Sequence, residues 1–164
     1  MAIWYEVAHS KEGIYTFMEC NSCFHDFAIE RVNYTPEENT AELFLKYDSL
    51  EGSIILRFLN VDSLNVTVRA IKRYTDEIFL SVLFLLDNGN FLWIDDDHGW
   101  GEDSYLHIEE LKADSSWIEA ERIIWAVTDK DGKPTELPDS QIDQTWDIWG
   151  KIEHHHFTLT PYTE

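Results

Sequence analysis

The stretch Ile78-Phe79-Leu80-Ser81-Val82-Leu83-Phe84-Leu85-Leu86-Asp87-Asn88-Gly89-Asn90-Phe91-Leu92-Trp93-Ile94 decides the fold class. From Ile78 to Leu86 every residue but Ser81 is apolar, which suits a central strand covered on both faces. Asn88-Gly89 predicts a two-residue type I′ turn, whose central residues both take positive φ. Phe91 to Ile94 then returns as the antiparallel partner. The apolar run is far short of the ~20 residues that a membrane-spanning helix needs.

Outward from this hairpin the period-2 alternation of strands recurs. Leu43, Leu45 and Tyr47 mark one strand and Ile54, Leu56 and Phe58 a second, with Glu51-Gly52 as the turn between them. Leu64, Val66, Val68 and Ala70 alternate with Asn65, Thr67 and Arg69 in a further strand, and Ala28 to Tyr34 reads as another. Towards the N-terminus, Ser10 caps a short helix through Cys20 with Ile14, Phe17 and Met18 on one face. Ser116 and Glu119 offer a capping box, and Trp117, Ala120, Ile124 and Val127 fit helical spacing. The run Ile123 to Val127 is β-branched and aromatic, which favours a strand there. Asp129 to Ser140, with Gly132, Pro134 and Pro138, reads as a loop. Ile142, Trp146 and Trp149 predict a short helix, and His156 to Thr160 a last strand before Pro161. The sum is an α+β fold in a single domain, mainly antiparallel sheet of about seven or eight strands with about one to three short helices.

Composition narrows the classes of function. The chain has 164 residues, 44% of them hydrophobic and 14% aromatic. At 19.3 kDa a globule exposes roughly 8,500 Å² of the roughly 28,000 Å² of its unfolded chain, so about 70% is buried. That supply of aromatics argues against disorder. The formal net charge is −20, and the one basic cluster is Arg69, Lys72 and Arg73, which argues against nucleic acid and against anionic membranes as partners. Met1 to Glu6 lacks the basic and apolar regions of a secretory signal, and two cysteines make no disulfide framework, so a cytoplasmic location is expected. The charge is uneven: residues 83–164 hold 19 acids and 5 bases, against 13 and 7 in residues 1–82. From Asp87 to Asp114 there are nine acids and one base, Lys112.

The densest constellation, Asp95-Asp96-Asp97-His98-Gly99-Trp100-Gly101-Glu102-Asp103, lies in that interval. Asp95, Asp96, Asp97, Trp100, Glu102 and Asp103 are the candidate partner-binding residues. Carboxylates steer a basic protein, while an aromatic grips Lys or Arg through burial and cation–π attraction. A solvated acidic turn and a Ca²⁺ loop are the other readings. The latter lacks the Gly and Glu positions of an EF-hand. Trp146 and Trp149, also near polar residues, are further candidates for exposed aromatics.

Cys20-Asn21-Ser22-Cys23, with His25 beyond, has CxxC spacing. A zinc site needs four ligands, so His9 or His98 would have to complete it. Phe24 stands where haem attachment requires His, and no βα unit supports a redox motif. Buried, inert thiols are the expectation. His25-Asp26 could pair a base with its orienting carboxylate, or supply metal ligands. In a strand the two would point to opposite faces, and Asp26 could instead make a local hydrogen bond or cap a turn. In His154-His155-His156, at most two residues share one side of a strand, which leaves a pH-sensitive surface as their functional reading. No nucleophile elbow, phosphate loop or dinucleotide fingerprint occurs.

Phe24-His25-Asp26 leads into the strand at Ala28, then come the Asp87-Asn88-Gly89 hairpin with Phe91 to Asp96, and Ser116-Trp117-Ile118-Glu119-Ala120. This order, over roughly residues 20–127, resembles a group of small acidic bacterial domains of unknown function. Similar small acidic proteins serve as immunity proteins beside bacterial toxins, so the resemblance implies inhibition of a toxin. The expectation is therefore a protein-binding module of immunity type engaging a basic protein through an acidic face, with no catalytic residue, metal or cofactor assigned. The rival expectation is a metal-dependent hydrolase built on His25, Asp26, His98 and the cluster Asp95 to Asp97.

Overall fold

Strand formers fill residues 117–128, and the computed structural model forms there one strand that organises the molecule. It describes residues 2–47, 50–66, 81–148 and 151–163, giving backbone alone for 140, 143–148 and 151–155. In chain order these residues form β1 (Tyr5–Glu6), α1 (Lys11–Cys20), β2 (Ala28–Thr35), β3 (Thr40–Lys46), β4 (Ile54–Asn65), β5 (Val82–Leu85) and β6 (Phe91–Ile94). Then follow α2 (Ile108–Asp114), β7 (Trp117–Thr128), β8 (Pro134–Thr135), α3 (Asp139–Ile142), β9 (Asp143–Ile148), β10 (Lys151–His156) and β11 (Thr160–Pro161). The fold is α+β with a nine-stranded antiparallel sheet among the described residues. None of its helices is long and apolar enough to cross a membrane.

One edge of β7 pairs with β4 from Ile54↔Val127 to Asn65↔Trp117. The other edge is shared by β6 at Trp117 to Ala120, β1 at Ile124 and Trp125, and β8 at Val127 and Thr128. Direct pairing aligns Val32, Leu43, Leu56, Trp125, Tyr5 and Pro161 in one row across six strands. Phe17 of α1 lies over this row, its ring centroid 5.8 Å from that of Trp125, and Tyr5 flanks Trp125 at 5.6 Å. Because successive side chains alternate faces, the next row places Glu42, Arg57, Ile124 and Glu6 on the opposite side. There Arg57 binds Glu42 at 3.0 Å and stacks on Trp4, while Arg122 binds Glu6 at 2.7 Å and faces Tyr162.

The expected helix α1 forms with Ser10 as its cap, the Ser10 hydroxyl accepting from the Gly13 N–H. β3 buries every second residue, Ala41, Leu43 and Leu45, and residues 117–128 are strand as the β-branched run required. The β3–β4 turn is tight. Lys46 Nζ donates to the Leu50 and Gly52 carbonyls. A Cβ on Gly52 would stand 1.9 Å from the Thr128 carbonyl oxygen, so only glycine lets the turn dock on β7.

Five expectations are corrected. The 86–90 turn is not type I′. The Gly89 N–H donates to the Leu86 carbonyl and the Leu86 N–H to that of Asn90, and Gly89 has φ +87° while Asn88 is not at positive φ. This is a type I turn closed by a left-handed glycine, which Asn88 favours by accepting the Asn90 N–H on its side chain. β5 is outermost, pairing with β6 alone among the described residues. The strand buried throughout is β6, with Phe91 and Trp93 in the main core and Leu92 and Ile94 against Leu111 of α2. Ile78 to Leu80 lie outside the described residues. Ile54–Phe58 and Leu64 belong to one strand, because Asn60 at φ +55° and a bulge after Val61 let it bend without ending. Val68 and Ala70 fall outside the described residues. Trp146 lies in β9, paired with β10, since Thr145, Trp146 and Ile148 are strand formers whose spacing mimics a helix. Trp149 is not among the described residues. The last strand is Thr160–Pro161 on β1, not 156–160, because Phe157 instead buries its side chain and donates its N–H to Ile142.

Trp125→Ala is expected to cost about 3–5 kcal/mol in urea unfolding. A loss below about 1 kcal/mol would show that the row does not hold the sheet. Gly52→Ala should destabilise more than Gly89→Ala, whose cost is set by φ alone at about 1–2 kcal/mol.

Candidate protein-docking ridge and the cysteine turn

The chain leaves β6 after Ile94 and rejoins the sheet at Trp117. Two hydrogen bonds close the neck of this excursion: the Asp95 N–H donates to the Ser116 carbonyl at 3.0 Å, and the Ser116 N–H donates to Asp95 Oδ1 at 3.1 Å. Asp96 Oδ1 accepts the His98 N–H at 3.0 Å and Asp97 Oδ1 the Gly99 N–H at 2.8 Å. Side-chain acceptance two residues on is how Asp builds a turn. It lets His98 and Gly99 take left-handed φ of +55° and +80°. His98 Nε2 contacts the Ser115 hydroxyl at 2.6 Å, which ties the turn to the segment entering β7.

This placement divides the expected binding residues. Asp95, Asp96 and Asp97 each spend a carboxylate oxygen on the loop's own backbone, and Asp97 is only 5% exposed. They are scaffold, and the expectation that they present charge outward is corrected. Trp100, Glu102 and Asp103 are exposed, as expected. Beyond them the sequence reading missed Tyr105 and Leu106, which are 60% and 63% exposed in the 3₁₀ turn Gly101–His107. Two large adjacent side chains inside a run of acids were the available signal.

α2 explains which way the remaining charges point. Its Leu111 is buried against Leu92 and Ile94 with Ile108 beside it, which leaves Glu109, Glu110 and Asp114 exposed. Lys112, the one base of the interval, sits with its ammonium 4.0 Å from the Trp117 ring centroid. Trp100 packs edge-on against His107, whose Nδ1 is 3.8 Å from Glu110. Residues 100–114 thus form a ridge of Trp100, Tyr105 and Leu106 flanked by Glu102, Asp103, Glu109, Glu110 and Asp114.

The other constellation lies at the far end of α1. Cys20 ends the helix, Asn21 caps it, and Ser22, Cys23 and Phe24 follow with φ of +52°, +50° and +55°. A left-handed backbone costs roughly 1–2 kcal/mol per residue outside glycine. Phe24, fully buried against Phe17 and Phe27, holds it in place. Both cysteines are free thiols. Burial pushes Cys20 up to about 12. Burial, with Glu19 and Asp97 nearby, pushes Cys23 up to about 11. A CxxC pair at a helix C-terminus also faces the negative end of the dipole, opposite to what a reactive thiolate needs.

Asp26 has φ +63°, so His25 and Asp26 occupy a turn and not a strand. Their side chains therefore meet, Nδ1 to Oδ2 at 2.9 Å, where the sequence reading set them apart. Among the described residues no three His, Cys, Asp or Glu side chains gather as a metal site, so His25, Asp26, His98 and Asp95–Asp97 do not form the centre a metal-dependent hydrolase requires. The side chains of His154 and His155 lie outside the described ones. No family model, curated protein or solved structure matches the chain.

In an unfolded chain a thiol ionises near 8.5, whereas the folded thiols hold their protons to about 11 and about 12. The unfolded state releases protons first, so stability falls as pH rises through that window and is unaffected by these groups below it. Unfolding midpoints should drop steeply above about pH 8.5 in the wild type and less in Cys20→Ser/Cys23→Ser. Identical slopes would remove the thiols as the cause.

Proposed function

We propose that this chain is a protein-binding module whose 100–114 ridge engages a basic protein. The observation that carries the reading is the exposure of Trp100, Tyr105 and Leu106 together among Glu102, Asp103, Glu109 and Glu110. Large side chains held in water gain free energy when a partner covers them, and aromatics supply most affinity at protein interfaces. Carboxylates around them speed encounter with a positive surface and repel an acidic one. Net charge of −20 extends the attraction to the Debye length, ~8 Å at physiological salt.

The resemblance to small acidic bacterial domains makes the concrete form an immunity-type inhibitor acting in the cytoplasm, its ridge seated on a toxin's cationic surface. No catalytic residue of this chain takes part. The neck bonds at Asp95 and Ser116 support the reading by fixing the ridge before binding, which lowers the ordering cost of association.

Two variants test it against a basic protein retained from source cells at low salt. Charge reversal at Glu102, Asp103, Glu109 and Glu110 to Lys should slow association about tenfold or more, with a weaker salt dependence. Trp100→Ala/Tyr105→Ala/Leu106→Ala should raise the dissociation rate about thirtyfold or more. Retention of an acidic protein, or rates unchanged in both variants, would overturn the proposal.

A further inference from the structure

Away from the ridge, a cleft of about 350 Å³ opens beside the cysteine turn. One wall is apolar, made by Phe27, Tyr47, Leu50 and Pro138. The Phe27 and Tyr47 rings stack with centroids 5.3 Å apart and planes 25° from parallel. The opposite rim carries Asn21, Ser22, His25 and Gln141. A mostly apolar concavity with a few polar groups at one side is the usual form of a small-molecule site, and this volume lies within the ordinary range.

The rim is built and not incidental. Asn21 is 3% exposed, donates Nδ2 to the Phe17 carbonyl and accepts Gln141 Nε2 on Oδ1 at 2.8 Å. That bond joins the end of α1 to α3 across 120 positions of chain. Ser22 and His25 reach the rim only because the left-handed run 22–24 and Asp26 turn the backbone towards it. Asp26 holds the His25 ring by Nδ1. Residues kept in rarely populated backbone conformations by surrounding packing gather at ligand sites.

Charge decides the class of ligand. In a chain of net charge −20, no Asp, Glu, Lys or Arg lines this cleft among the described residues. The His25–Asp26 pair carries either no net charge or one negative charge, so it offers an anion no counter-charge. A cation finds no carboxylate on the lining, and Asp26 is engaged by His25. We propose that the cleft binds an uncharged, planar aromatic small molecule of about two fused rings, its face against Tyr47 and Leu50 and its hydrogen-bonding edge towards Ser22 and His25.

Three isosteric probes test this on the full chain by two-dimensional amide NMR: 2-naphthamide, 2-naphthoate and 2-naphthylmethylammonium. 2-Naphthamide should give saturable shifts at residues 20–27, 47, 50 and 141. The two charged probes should bind about tenfold more weakly, since each would bury an unpaired charge. Leu50→Trp, which fills the cleft, should abolish binding. His25→Ala, at a half-exposed turn position, should weaken it several-fold with the remaining spectrum unchanged, which keeps the test valid if the first variant does not fold. Absence of saturable shifts with 2-naphthamide, equal affinity for all three probes, or shifts confined to the Trp100–Leu106 ridge would overturn the proposal.

Discussion

β7 has both edges occupied, and every other part of the molecule is placed relative to that strand. Its pairing with β4 runs nearly the full length of both strands, while β6, β1 and β8 divide the opposite edge into three short contacts. Residues Ile123 to Thr128 are buried without interruption. A strand flanked on both edges and covered on both faces must be apolar throughout that half, and Ile123-Ile124-Trp125-Ala126-Val127 is. The amphipathic half, Trp117 to Arg122, lies where the outer face is covered by α2 or left partly wet.

The same strand sets the geometry of the ridge. Ser116, the residue before β7, closes the neck with Asp95, the residue after β6, and the in-register pair Ile94↔Trp117 stands directly behind it. The 22 residues from Asp95 to Ser116 are therefore anchored on two adjacent strands of one sheet. Within them Leu111 commits α2 to the sheet, which fixes the outward direction of its acids. Acidic character at Asp95 to Asp97 and at Glu102 to Glu110 looks alike in composition but does opposite work. The first set is consumed in shaping the turn, and the second faces solvent.

Where side-chain period and backbone chemistry agreed, the sequence could be read directly. Ser10 precedes an apolar helical face and caps it; Leu43 and Leu45 alternate and are buried; residues 117–128 are strand because β-branched and aromatic residues outweigh a capping box. Reading stopped where the outcome depends on a distant partner. Nothing local tells that the far edge of β6 belongs to β7, which leaves β5 outermost despite its apolar run. Asn60 bends β4 without ending it, a distinction visible only once Leu59 and Val61 have found Arg122 and Ala120. Trp146 obeys a helical spacing and a strand propensity at once, and its pairing with Glu153 settled the choice. Asp at a turn serves solvent or backbone with equal ease, so the inward use of Asp95 to Asp97 left no mark in the residue types.

The short strand β1 pairs with β7 at Ile124 and Trp125 and with β11 at Thr160 and Pro161, and the Tyr162 N–H reaches back to the Trp4 carbonyl. Residues made first on the ribosome thus find their neighbours among those made last. Closing such distant contacts carries most of its entropic cost before any of them is rewarded. During synthesis β2, β3 and β4 have a local meander available early, while the N-terminal segment waits, unpaired, for nearly the whole chain to emerge. Assembly of this fold is accordingly a late, post-translational event for its first strand, and a chaperone that shields that segment would act on the slowest step.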